Sequence, residues 1–282
     1  LQSKLLKDVE RVKNNMPGYE YRLIPEDSYE SSNDIANSIV EDTALKYNVP
    51  KSEVRYPMVI NYLYSIIGTC DICAYTPNLI FPFENNGQNA LNDFNYGLTA
   101  RNISFTAQSI DEVSTTFANR VCGFTLFPAS GPIMFLNASI NTWGRIIFTI
   151  IHELSHAYQA LDDPTYKSSV ALINAQKSQG NPYPEELQPI ETEANIIASN
   201  VYVPEDSLKK EIMNKSFNQM KDIYGMSSAA LHNRLKNFLH YTIGMSINAA
   251  LEYTLAFRNN NTIKMDICRS YCIQSLHNPV VF

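Results

Sequence analysis

The chain has no uninterrupted apolar run long enough to span a membrane, so no membrane-spanning helix is expected. No basic-then-apolar stretch opens it, so a cytoplasmic protein is expected. Its first residue is Leu1 rather than Met, which leaves room for a preceding segment. Internal repeats and low-complexity tracts are also missing, which excludes repeat architectures. Net positive charge is lacking: 22 Lys and Arg against 28 Asp and Glu leave −6. That balance argues against nucleic acid as the main partner. Cysteine is scarce, five in 282 residues, and nothing points to an oxidising compartment, so disulfides are not expected. Histidine is equally scarce at five, which makes its distribution informative.

Two of the five histidines fall in one pentapeptide, His152-Glu153-Leu154-Ser155-His156. The flanking Ile147, Ile150, Ile151, Leu154, Tyr158 and Leu161 recur at three- and four-residue steps, with Asn141 or Thr142 as an N-cap and Asp162-Asp163-Pro164 as a stop. On such a helix the two imidazoles share a face one turn apart. They can hold one Zn²⁺, and Glu153 is then placed as general base. The competing reading is two surface histidines on an amphipathic helix.

A catalytic zinc site needs a third protein ligand. Residues 189–201 read as a second helix, and Glu191 and Asn195 share one of its faces. Glu191 is the candidate ligand, with Asn195 supporting a ligand by hydrogen bond. Glu193 points about 200° away around that helix and is the fallback. The tetrahedral oxyanion needs a donor beyond the metal. Tyr158 and Tyr202 are the first candidates, with Tyr183, His232 and His240 also open.

Arg145 through His156 resembles the R-x-x-F-T-x-x-H-E-L-x-H signature of ImmA/IrrE-type metallopeptidases. Glu191-Thr192-Glu193-Ala194-Asn195, with Ala198 and then Val201 to Pro204, resembles the family's E-x-E-A-N helix. Tyr224 to Leu231 with Arg234-Leu235, and the stretch from Asp34 to Pro50, are similar to further family segments. The chain departs from the family at Ala160, often His, and at Ser155, commonly Gly. The resemblance implies a gluzincin-like zinc peptidase that cleaves a protein, commonly a transcriptional repressor, in a stress or mobile-element programme. By motif, the ligands would be His152, His156 and Glu191, and the base Glu153.

Cys70-x-x-Cys73 and Cys268-x-x-x-Cys272 together could make a structural Cys₄ zinc site. The reading favoured over it is buried core thiols, because Cys70 and Cys73 would face opposite sides of a strand. Cys122 is read as a core residue.

The expected architecture is α+β: a zincin-like core of a small sheet plus the His-Glu helix, with a helical C-terminal part. Expected units are 1–110, 111–210 and 211–282, or one compact body. Helices are predicted over 1–16, 34–48, 54–67 and 111–119, and strands over 70–76, 122–127 and 132–137, with a turn at 85–87. The strand at 132–137 is expected to form the cleft edge and pair with substrate backbone. The segment 162–189 reads as a polar loop that could act as a lid. Two other functions stay open. One is a regulatory binding protein that keeps the zincin shape without cleaving. The other is a DNA-binding regulator using Ser227 to Leu239 as half of a helix-turn-helix.

Overall fold

The computed structural model describes residues 24–77, 86–161, 163–179 and 185–277. The expected helix over 1–16 and Tyr183 lie outside them. The chain opens with α1 (Glu26–Tyr47), which ends at Asn48 in the left-handed conformation, its N–H donating to the carbonyls of Ala44 and Leu45. Next come α2 (Tyr56–Ile67), β1 (Asp71–Pro77), α3 (Asn86–Thr99), β2 (Ser109–Val113) and α4 (Thr115–Arg120). β3 (Gly123–Leu126) and β4 (Ile133–Asn137) lead into α5 (Trp143–Gln159). After it come α6 (Pro164–Gln179), α7 (Gln188–Tyr202), α8 (Glu205–Asn214), α9 (Phe217–Tyr224) and α10 (Ser228–Asn237). A π-helical turn (Phe238–Thr242), α11 (Ile247–Arg258) and α12 (Thr262–His277) complete the α+β fold.

The sheet is mixed, in the order β2-β1-β4-β3, with β1 parallel to both β2 and β4 and with β3 antiparallel to β4. Strand alternation sorts its two faces. Ile72, Ala74, Met134 and Leu136 are almost fully buried in the main core. On the other face Tyr75, Phe117, Phe124 and Phe135 form an aromatic cluster, with Phe124 and Phe135 stacked at 4.6 Å. One buried cluster runs from Ala36 in α1 to Cys272 in α12.

The sheet order corrects the expected cleft edge. The strand at 132–137 is β4, and it is paired on both sides. β3 is the edge strand on that side of the sheet. Asn137 N–H donates to Cys122 O, so alternation along the antiparallel pair turns the backbone groups of Gly123 and Thr125 outward. The outward carbonyl of Thr125 already accepts from Asn174 Nδ2 of α6 at 2.8 Å.

Local differences have local causes. The helix expected at 111–119 is split, because Ser109–Val113 pairs with β1 and Ser114 then caps α4 by accepting from Phe117 N–H. Asn86, expected in a turn, opens α3. The polar segment after Asp163 is mostly helix, and it reads as a loop because only Val170, Ile173 and Asn174 of its described side chains are buried. α10 is built into the core through Leu231, His232, Arg234, Leu235 and Lys236. The basic side chains of this helix, His232, Arg234 and Lys236, are thus all buried.

Two close contacts position α5. At Gly144 an added Cβ would lie 2.6 Å from the carbonyl of Gly225. At Gly97 it would lie 1.8 Å from the Trp143 ring, on whose face Arg101 packs at 3.9 Å. Gly97→Ala is therefore expected to cost about 1–3 kcal/mol of stability by overpacking. Denaturant unfolding identical to wild type would contradict that packing argument.

His232 supplies a second test. It is 3% exposed, and burial, reinforced by Arg258 and Lys236, lowers its pKa to about 4. The unfolded chain takes up this proton near pH 6.5, the folded chain only near 4. Stability should thus be lost as pH falls between those values, by up to about 3 kcal/mol from this group. Replacing His232 with Gln should flatten that part of the stability–pH curve. An unchanged slope would show that another group carries it.

Candidate metal centre

α5 and α7 pack side by side, and their contact brings the motif residues together. The ligand atoms of His152, His156 and Glu191 all lie within 4.8 Å of one another, and all three residues are buried. His152 Nε2 and His156 Nε2 are 3.1 Å apart, with the rings edge to face. Glu191 sits in the first turn of α7, with Oε1 3.3 Å from His156 Nε2 and Oε2 3.7 Å from His152 Nε2. Donors bonded to one tetrahedral zinc at about 2.0–2.2 Å would lie about 3.4 Å from each other. The observed separations bracket that value. Two imidazoles and one carboxylate are also the donor types such an ion takes. The residues fit a metal ion.

Glu153 projects beside this cluster and is 3% exposed. Its Oε2 accepts from Thr125 Oγ1 at 2.8 Å. Gly123 lets β3 come this close to α5, because a Cβ there would lie 2.5 Å from Thr149 Cγ2 and 3.0 Å from the Phe135 carbonyl. The same strand therefore supplies both the close approach and the hydroxyl that holds the carboxylate.

A hydroxyl missed in the sequence lies on the far side of His156. Tyr166, near the start of α6, places its oxygen 2.9 Å from His156 Nδ1. Gln159, the last residue of α5, contacts the same hydroxyl and also Glu193. With its nitrogen toward Glu193, the Gln159 amide donates to Oε2 at 3.0 Å and Oε1 at 3.3 Å, and its oxygen accepts from Tyr166 at 2.8 Å. The reverse orientation sets the amide oxygen against a carboxylate, so the first is the one physics selects. Burial raises the Glu193 pKa, with His156 opposing the shift. Burial and then the carboxylates of Glu193, Glu191 and Glu153 push the Tyr166 hydroxyl well above its ordinary value. The only sequence signal for Tyr166 was its place just after the helix stop.

The other candidates lie elsewhere. Asn195 is half-buried, and among the described residues no hydrogen bond joins it to the three cluster residues. Tyr158 lies near enough to Tyr62 of α2 to raise its pKa slightly, after burial and Asp42. Tyr202 is buried edge-on to Tyr56, about 16 Å along α7 from Glu191 at the helical rise. His232 lies in α10, and His240 Nδ1 is bonded to the Met245 carbonyl. The four cysteines do not converge. Among the described residues the one cluster able to hold a metal is His152, His156 and Glu191. Cys70 is buried and Cys73 half-buried on and beside β1, whereas Cys268 and Cys272 are buried one turn apart on α12. Cys122 is half-buried, and its sulfur accepts from Arg145 Nη2.

Metal analysis of purified protein should find one divalent ion per chain, lost or much weakened in Glu191→Ala and unchanged in Cys70→Ser. A second ion sensitive to Cys70→Ser would restore the cysteine site.

Comparison with known proteins places this geometry. No curated protein matches the chain. The family model for the IrrE N-terminal-like domain matches residues 96–236, half of the 282-residue chain. The matched span runs from α3 to the end of α10 and includes every residue of the buried cluster. The chain therefore belongs to the IrrE N-terminal-like domain family of metallopeptidases.

Proposed function

We propose that the protein is a zinc-dependent endopeptidase. The buried His152–His156–Glu191 cluster with Glu153 beside it is the observation that supports this. Zinc held there would supply Lewis acidity, which makes water acidic near neutral pH and polarises the scissile carbonyl. Glu153 acts as general base on the attacking water and returns the proton to the leaving amine. Thr125 holds that carboxylate in place by donating to Oε2. The substrate is a protein. The family resemblance favours a transcriptional repressor, met in the cytoplasm. No described helix is long and apolar enough to cross a membrane.

A binding protein that keeps this shape without cleaving is the second reading, and one residue separates the two. Glu153→Gln keeps the shape and the hydrogen-bonding capacity but removes the base. Its zinc content should equal wild type while peptide-bond cleavage of an unstructured protein falls about 10²–10⁴-fold. Zinc-loaded wild type and variant acting alike in every assay would favour the binding protein.

A further inference from the structure

The family motif carries a second glutamate, Glu193, which is not one of the three clustered residues and which the proposed chemistry does not use. Its surroundings give it a task. Both Glu193 carboxylate oxygens accept from the Gln159 amide nitrogen, Gln159 oxygen accepts from Tyr166, and Tyr166 oxygen lies 2.9 Å from His156 Nδ1. With Glu193 ionised, each link has one consistent direction. A carboxylate can only accept, so it fixes the amide nitrogen toward itself and the amide oxygen toward Tyr166. The phenol then spends its single proton on Gln159. It has none left for His156 and can only accept from Nδ1.

We infer that Glu193, Gln159 and Tyr166 form a directed hydrogen-bond chain that fixes His156 as its Nδ1–H tautomer and so keeps the Nε2 lone pair for the metal. Were the chain reversed, Tyr166 would donate to Nδ1 and the proton of the neutral ring would sit on Nε2, the atom facing His152 and Glu191. The three are positioning residues, acting on the metal through His156. The inference rests on the metal-centre reading only for its consequence. The tautomer itself is a property of the protein without metal.

The test has two parts. Nitrogen NMR of the His156 imidazole in metal-free wild type should show the Nδ1–H form, and Tyr166→Phe should shift the population toward Nε2–H. A wild-type ring in the Nε2–H form overturns the inference, whether or not any variant folds. Second, zinc affinity is measured by chelator competition for wild type, Tyr166→Phe, Glu193→Leu and the double variant. The single variants should each lose affinity, Tyr166→Phe by about 10–100-fold. The double variant should be little worse than Tyr166→Phe alone, because both break one chain. Unchanged affinity in Tyr166→Phe, or fully additive losses, would overturn it. Glu193→Gln, which can still accept from Gln159, should recover part of what Glu193→Leu loses. A wild type that binds no zinc but shows the Nδ1–H tautomer would sink the peptidase reading and leave the chain standing.

Discussion

The contact between α5 and α7 is the constraint on which the site depends. Ile150, Ile151 and Leu154 of one helix and Ala194, Ile197 and Ala198 of the other are fully buried. Two of the three on α7 are alanines, which lets the helices approach closely. That approach places a carboxylate from the first turn of α7 within 3.7 Å of two imidazoles of α5. Removing three such groups from water costs several kcal/mol unless each finds a partner. The cluster is stable only as a unit, which is the property expected of a metal centre and not of three solvated side chains.

The position of α6 then shapes what surrounds the cluster. One end of it supplies Tyr166 to His156, and two turns later it supplies Asn174 to the outer edge of β3. This explains why the histidines are buried although the helix carrying them looks amphipathic. His156 is 1% exposed because neighbouring elements close over the face that the sequence pattern leaves polar. The same closure makes the phenol and Glu193 members of the site rather than surface groups.

What could be read from the sequence was what depends on local spacing. The pair His152 and His156, Glu153 between them, and Glu191 on a following helix all follow from helical periodicity and ligand chemistry. So does the α+β class, with strands ahead of the metal-bearing helix. What could not be read depends on tertiary pairing. β4 precedes α5 in the chain and so looked like the cleft edge, but strand order is set by partners distant in sequence, and β3 lies outside it. α6 carries too few buried apolar residues to show a period. Tyr166 and Thr125 are ordinary residues until the fold sets one against His156 and the other against Glu153. Four cysteines in two short motifs looked like a set, yet β1 and α12 do not bring them together.

Thr125 shows how far the general base depends on the whole fold. A strand residue sends its side chain to one face and its backbone groups into the sheet plane. In Thr125 the side chain turns inward and donates to Glu153, while the carbonyl turns outward and accepts from Asn174. These bonds link residues 28 and 49 positions away. A shift of α6 therefore reaches Glu153 through β3 and reaches His156 through Tyr166, by two separate routes. The carboxylate and the imidazole must hold a fixed relation to one ion for the proposed chemistry to run, and misplacement by an ångström is expensive in rate. A helix fastened to both residues, with Glu193 as a third fixed point on α7, keeps that relation constant. The short motif supplies the chemistry, and the packing of α6 over β3 and α5 holds it in register.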